Sequence, residues 1–538
     1  MENEDKKTRY AYRFLARVVI EATTPMSIGS GEKDIKSDHL VARDVNGLPY
    51  IPGTAIAGIV RHAIGKDKAE KFFGFDMTEA EKEKRKNQDE KRGGKKGQEE
   101  SLGEGSKVIF SSAHLVMDKS GDVVVEGLLP KDFNNEYLKN FRHLPIRQHV
   151  RISEKGTTAE KGKFDEEVVY KGARFCFEIE MLTEKDETTF FDEILSLLAS
   201  DTLSIGSGTR SGHGEFVIAK NKVVDGEGNE QEECLCKKKI LDLSKADELL
   251  LYINKTSSLN DPFWANVAAR FNPVEKPNGW ISYELNLQPE DFFLFGSGFG
   301  NENADMSPVT EVFVDWSGEA PKMTTDCILI PGSSVKGALS HRVAYHYNKL
   351  TGVYADKIAE ILKNDENLKK ANNGELPSKD DIIKKFKNYV GENNKAVRAL
   401  FGYAISDKEV QRGNVIISDM IEHELMADKR KVLNHVAIDR FTGGAIDSAL
   451  FSEEVVYGEN DTYTLPIKVC MTDEVTTDKT ILPSFENALR DLATGRLPLG
   501  GGTNRGHGCF NGTIKKETVE LDLKLIKTIE QQSNEQNK

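Results

Sequence analysis

Six of the chain's 11 histidines fall into three matched pairs: His62 with His341, His149 with His435, and His213 with His507. Imidazole titrates near neutral pH, so a histidine beside a scissile bond can take or give a proton. The last pair, however, stands inside glycine clusters, IGSGTRSGHGEF from Ile205 and LGGGTNRGHGCF from Leu499. Glycines at that density let backbone N–H groups approach a phosphate closely. Backbone contact with phosphate is the simpler role for that pair. A second motif also occurs twice, IPGTAIAG from Ile51 and IPGSSVKG from Ile330. It reads as a Pro-Gly turn opening a helix, with Thr54 or Ser333 as cap. Two equivalent binding units in series suit a repeating polymer as ligand.

The elements that must position these residues are duplicated too. IGSG at Ile28 answers FGSG at Phe295, and FFGF at Phe72 answers LFGY at Leu400. KVIFSSA at Lys107 answers NVIISDM at Asn414, and RQHVRI at Arg147 answers LNHVAIDR at Leu433. FDEEVVY at Phe164 answers FSEEVVY at Phe451. Each half opens with a period-two strand, Tyr12 to Ile20 or Tyr283 to Leu287. The IPG helix, further strands, and a second helix (190–199 or 484–493) before the glycine loop complete the unit. Strands interleaved with two helices predict an α+β chain of two tandem ferredoxin-like, split βαβ units, the fold of RRM-type RNA platforms. KGARFCFEI at Lys171 partly mimics an RRM aromatic signature. It has no counterpart in the second half and reads as a core strand.

Unit boundaries fall at 1–220 and 281–521, with a partly ordered linker at 221–280. Residues 77–106 are highly charged and read as a flexible insertion. Residues 348–395 carry apolar residues at helical spacing and read as a helical insertion. The tail, 522–538, is expected to fray. The chain has 538 residues, 38% hydrophobic and 30% charged, enough for several cores. Its net charge of −14 disfavours indiscriminate nucleic-acid binding but allows a local basic channel. No 18-residue apolar run or apolar leader is present, and the six cysteines include no CxxC pair. These features predict a reduced, cytoplasmic protein with neither membrane span nor structural zinc.

The order IGSG, an Asp, IPGxxxxG, FG, a charged hairpin and GSGxRxGxG resembles the RAMP superfamily. The closest resemblance is to the Cas-seven-like backbone subunit of type III CRISPR effectors, here two subunits fused in tandem as in some III-D effectors. The resemblance implies a subunit that holds crRNA in an extended groove, with a thumb hairpin interrupting the guide–target duplex. It also implies partners: target RNA, a large signalling or polymerase subunit, and other backbone and small subunits. In catalytic members an Asp beside each thumb supports divalent-metal-dependent cutting of target RNA, with Mg²⁺ or another weakly held cation. That Asp falls at Asp38, with Asp44 as second acid, and at Asp305, where a longer strand and turn follow.

On the same resemblance, phosphate or RNA contacts fall to Arg43, Arg61, Arg147, His149, Arg151, Gly206, Gly208 and Arg210 in the first unit. In the second they fall to Ser333, Ser334, Lys336, Arg342, His435, Arg440, Gly500, Gly502 and Arg505. Lys336 aligns with Ala57, so the first unit would hold its phosphate through helix N–H groups and Arg61. Two alternatives stand beside a two-site endonuclease: a non-catalytic crRNA scaffold, and a metal-independent crRNA-processing RAMP endoribonuclease.

Overall fold

Alternating branched and aromatic residues place β1 (Tyr12–Ala22) at the centre of the first unit's sheet. The computed structural model describes residues 10–31, 37–76, 103–153, 157–200, 202–224, 230–265, 267, 271–273, 279–364, 366, 378, 380, 386, 389–406, 409–422, 429–458 and 464–526. After β1 come α1 (Gly53–Ala63), β2 (Val108–Phe110), a hairpin of β3 (Ile146–Ile152) and β4 (Thr158–Glu167), and β5 (Arg174–Thr183). Next are α2 (Thr188–Ala199), the short β6 (Phe216–Ile218) and β7 (Cys236–Asp242). β5 pairs with β1 and carries β2 on its far side, while β6 and β7 share the opposite edge of β1, all antiparallel. Phe175 and Phe177 of β5 are fully buried, as expected for a core strand.

The second unit repeats this order. β8 (Trp280–Pro289) leads to the hairpin β9 (Thr310–Asp315) and β10 (Lys322–Ile330), then α3 (Gly332–Leu350) and β11 (Val415–Ile417). A projecting hairpin, β12 (Arg430–Ile438) and β13 (Ala445–Tyr457), precedes β14 (Leu465–Thr472), α4 (Ile481–Leu492) and β15 (Phe510–Lys516). The sheet runs β11–β14–β8–β15, matching β2–β5–β1–β6 strand for strand.

Within the 221–280 linker, β7 completes the edge of the first sheet, and Leu241 and Trp264 bury Leu15 on its second face. Two expectations need correction. The tail is held as far as Ile526, whose N–H and C=O bond the Asn487 side chain. The IPG helices are not capped by Thr54 or Ser333: Pro52 and Pro331 take the N-cap positions, with no side-chain cap. In α3 the Asp419 carboxylate accepts the Gly332 N–H at 2.7 Å, using the positive helix end. The glycine of each IPG turn is steric, because a Cβ would lie 2.3 Å from Phe110 O at Gly53 and 2.4 Å from Ile417 O at Gly332. The insertion at 77–106 lies almost wholly outside the described residues. Within 348–395 a helix spans Ala355–Asn364.

The β9–β10 hairpin joins the units. Trp316 at its turn enters the first unit's core, 7% exposed. Its Nε1–H donates to Gly172 O at 2.7 Å, and the Arg174 guanidinium lies 4.3 Å from its ring. Val314 N–H bonds Lys171 O, extending the contact through the backbone. The first unit's matching turn is only Asp44–Leu48, closed by the Asp44 carboxylate on the Asn46 and Leu48 N–H groups. Trp316→Ala should therefore destabilise the whole chain by about 3–5 kcal/mol in denaturant unfolding. A loss under about 1 kcal/mol would mean the indole does not hold the units together.

Candidate nucleic-acid interface

Each unit carries one exposed aspartate at the foot of its projecting hairpin. Asp38 N–H bonds Asp165 O at 3.2 Å, and its Oδ2 accepts the Asp165 N–H at 3.3 Å. Asp305 Oδ2 accepts the Ser452 N–H at 2.8 Å and the Ser452 hydroxyl at 3.0 Å. Asp165 and Ser452 hold the same place in FDEEVVY and FSEEVVY. The next residues repeat the match, as His39 bridges Glu166 and Met306 bridges Glu453, both parallel. The two aspartates are thus structural equivalents despite their unlike flanking turns. Backbone and hydroxyl hydrogen bonds from Ser452 hold the Asp305 carboxyl below its usual pKa, so it is anionic at neutral pH.

The residue that organises each foot is a glutamate that the sequence reading passed over. Glu166 is 4% exposed and Glu453 is fully buried. Around Glu166 stand His213 Nδ1 at 3.3 Å, His149 Nε2 at 3.5 Å and the Ser207 hydroxyl. Around Glu453 stand His435 Nε2 at 2.8 Å, Arg505 Nη2 at 2.6 Å and His507 Nδ1 at 3.8 Å. Burial opposes ionisation of Glu166, but the adjacent His213, the hydrogen bond from the Ser207 hydroxyl and the nearby Ser27 outweigh it and bring its pKa to about 2. The one available signal was that the EE pair is identical in both copies.

This arrangement gives several of the expected contact residues partners inside the protein. His149 and His435 stack on Phe164 and Phe451, with centroids 4.7 and 4.8 Å away. Burial, then the neighbouring His213, keep His149 below the ordinary imidazole pKa. Gly206 and Gly500 serve close backbone packing, since a Cβ would lie 2.1 Å from Ser27 O and 2.4 Å from Leu294 O. Gly208 and Gly502 leave room for the His213 and His507 rings. The amides of Ser207 and Gly501 are used internally, on Ser27 O and Leu294 O.

Arg43 is committed to Glu167 and to the Gly47 and Phe141 carbonyls. Arg147 is buried among Glu311, Asp419 and His213. Burial opposes its charge, but the two carboxylates outweigh that and raise its pKa. Arg342 pairs with buried Asp491, alongside His346 and Arg496. Arg505 lies on Glu453 and over the Phe451 ring. Arg151 pairs with exposed Glu392, and Arg61 donates to Gly74 O from an exposed position. Arg440 is exposed at the second hairpin's tip beside Phe441, which is 99% exposed.

Apart from Arg440 at the hairpin tip, the cations left without an acid include a group between the units. Arg210 of the first glycine loop lies 5.3 Å over the Trp280 ring, near Arg412 and Lys336. Among the described residues no carboxylate pairs with any of these three. Burial, then Arg412, bring Arg210 down to about 10; burial, then Arg210, lower Lys336. Like charges gathered without a counterion cost free energy that a bound anion would recover. Ser333 and Ser334 sit in the first turn of α3, one turn or less from Lys336. Arg210 and Lys336, expected in separate units' sites, thus meet in one place.

A divalent cation fits one place better than another. His149, Glu166 and His213 bring possible ligand atoms within 4.8 Å of one another. There Arg147 Nη1, which can only donate, lies 2.7 Å from His213 Nε2 and directs the ring's proton to Nδ1, toward Glu166. That occupies the lone pair a metal needs. Beside Asp38, by contrast, Asp165 Oδ1 is buried without a hydrogen-bond partner. Asp38, whose carboxylate is open to solvent, and Asp165, with its orphaned oxygen, are oxygen donors of the kind a hard cation takes. In the second unit Ser452 leaves Asp305 as the single acid.

A family model of the RAMP superfamily matches residues 19–217 and 308–511. One match falls in each unit and together they span most of the chain, which therefore belongs to the RAMP superfamily. A search of curated proteins gave no match. No helix among the described residues is long and apolar enough to cross a membrane.

Because the folded pKa of Glu166 lies below the ordinary 4.5, its stabilisation is full above about pH 4.5 and is lost as pH falls toward 2. Glu166→Gln should lower unfolding stability at pH 7 by about 2–3 kcal/mol. It should also flatten the pH dependence between 2 and 4.5, as urea unfolding at stepped pH will measure.

Proposed function

We propose that this RAMP protein is a crRNA-binding backbone subunit of a type III, III-D-like, CRISPR effector that cleaves target RNA at two sites. Each unit is read as a ferredoxin-like platform with a thumb. The strand order last–first–third–second supports this reading. The observation that carries the function is the equivalence of Asp38 and Asp305, two exposed carboxylates that each accept the N–H of the matching motif residue at the foot of a projecting hairpin. The uncompensated Arg210, Lys336 and Arg412 supply a phosphate seat between the units, so one strand could pass both feet. Partners would be crRNA, target RNA and the other effector subunits.

RNA carries its own nucleophile. The 2′-oxygen attacks the adjacent phosphorus, its proton leaves, and the 5′-oxygen departs, giving a 2′,3′-cyclic phosphate and a 5′-hydroxyl. Asp38 or Asp305 would accept the 2′-OH proton or orient the attacked phosphate. A divalent cation held by Asp38 with Asp165, or by Asp305, would neutralise charge on the phosphorane oxygens. The hairpins would part the duplex, with the exposed Phe441 and Arg440 at one tip. A second reading, a scaffold that binds guide without cutting, draws support from the hydrogen bonds that make both aspartates strand caps. A histidine-based processing enzyme is disfavoured by the burial of His213 and the stacking of His149 and His435.

Fragments of a labelled target cut by the assembled complex should show two cleavages at a fixed spacing. Asp38→Ala should remove one cut and Asp305→Ala the other, each by at least about 100-fold, with RNA affinity kept. Both cuts persisting in the double variant would defeat the endonuclease reading and leave the scaffold. Arg210→Ala or Lys336→Ala should weaken RNA binding whatever the sequence, and lower the salt slope by about one unit each in titrations across salt.

A further inference from the structure

The two feet are built alike, but only the first is tied to its neighbour. Arg147 pairs with Glu166 across β3 and β4, as Leu433 pairs with Glu453 across β12 and β13. The same register position is therefore arginine in one unit and leucine in the other. Ser112 and Asp419 form a second such pair. Each follows the strand segment, Phe110–Ser111 or Ile417–Ser418, on which the IPG glycine rests. Arg147 and Asp419 meet each other at the junction, and neither has a counterpart on the chain's outward faces.

The contacts run without a gap. Asp38 is docked on Asp165, and the adjoining Glu166 holds His213. His213 Nε2 takes a hydrogen bond from Arg147 Nη1 at 2.7 Å, and the same Nη1 binds Asp419. Asp419 Oδ1 accepts the Gly332 N–H at the start of α3. The fit is tight, because a Cβ on Gly212 would lie 2.1 Å from Asp419 Oδ1. Ser418 Oγ donates to Glu215 at 2.7 Å beside it. In the second unit the series stops at His507, because Leu433 offers no donor.

We infer that Arg147 and Asp419 are positioning residues for the first aspartate alone, so that the Asp38 site depends on the docking of the second unit's IPG helix whereas the Asp305 site does not. The inference rests on the two-site reading for its activity arm and is independent of it in the other. Removing Arg147 frees His213 Nε2 and leaves Asp419 and Glu311 buried without their cation, which loosens the glycine loop from Glu166 and Asp38 from its seat.

The test has two arms on the full chain. In hydrogen exchange, Arg147→Leu and the charge-removing pair Arg147→Leu with Asp419→Ser should speed exchange of the Asp38, Val41, Asp165 and Glu167 amides. These are the donors that fasten the first loop. The Asp305, Met306 and Ser452 amides should stay unchanged. In the assembled complex the same variants should lower the Asp38-dependent cut about tenfold relative to the Asp305-dependent cut. Both cuts come from one molecule, so misfolding lowers them together while mispositioning changes their ratio. Equal exchange at the two loops, or an unchanged fragment ratio, overturns the inference. If the unvaried complex does not cut, the function reading fails, and the exchange arm still decides the linkage.

Discussion

A buried carboxylate is costly unless hydrogen bonds replace its water, and each unit is organised around one. Glu166 and Glu453 sit on the strand between a projecting hairpin and a glycine loop, and both elements must turn polar groups inward to satisfy them. Much else follows from that requirement. The glycine-loop histidine is buried because it serves the carboxylate, and Gly208 and Gly502 are glycines because a Cβ would strike that histidine. The hairpin histidine stacks on the motif phenylalanine for the same reason. The residue preceding each glutamate is left facing the aspartate loop, and so an exposed acid stands at a fixed place in both units.

The junction builds on this plan unequally. The first unit contributes Arg147 and the second contributes Glu311 and Asp419, so a charge of each sign is buried only because the other unit supplies its partner. Trp316 adds apolar burial a short distance along the same interface. Two covalently joined copies need not keep identical faces, because the internal contact forms at high effective concentration whatever the outer faces do. The first unit's short turn and Ser112, and the second unit's Leu433, lie where an internal-type contact would need a long hairpin, an acid and a base. The chain's ends are thus chemically unlike its middle.

The repeat was the most legible property of the sequence. Ordered motifs located both sheets and both IPG helices, because glycines forced by steric contact and period-two strands leave local signatures, whereas Asp38 and Asp305 were reached only through the family resemblance. What could not be read locally was which polar residue meets which. Arg43, Arg147 and Arg342 look like phosphate ligands when only their own segments are visible, yet Glu167, Asp419 and Asp491 consume them from distant segments. Glu166 and Glu453 look like ordinary surface acids on charged strands. The linker's β7 was hidden because β6 leaves the sheet after three residues and a hairpin carries the chain away before it returns to the same edge. Asp419 as a helix cap was equally invisible, since it comes from beyond a long insertion rather than from the IPG turn itself.

Charge placement reconciles an acidic chain with an anionic ligand. Most cations near the motifs are paired with acids, and the chain as a whole carries a net charge of −14, which disfavours indiscriminate nucleic-acid binding. Arg210 and Lys336 escape neutralisation because they meet only where the first unit's glycine loop reaches the second unit's helix, with Arg412 beside them. Among the described residues this grouping of cations lies where the two units meet. The Trp280 face under Arg210 gives the guanidinium a planar apolar support without cancelling its charge. Arg210 and Lys336 thus lie at the same contact between the units that Arg147 and Asp419 hold together, and on the proposed function whatever fixes the two units relative to each other would also fix the path of a strand between the aspartates.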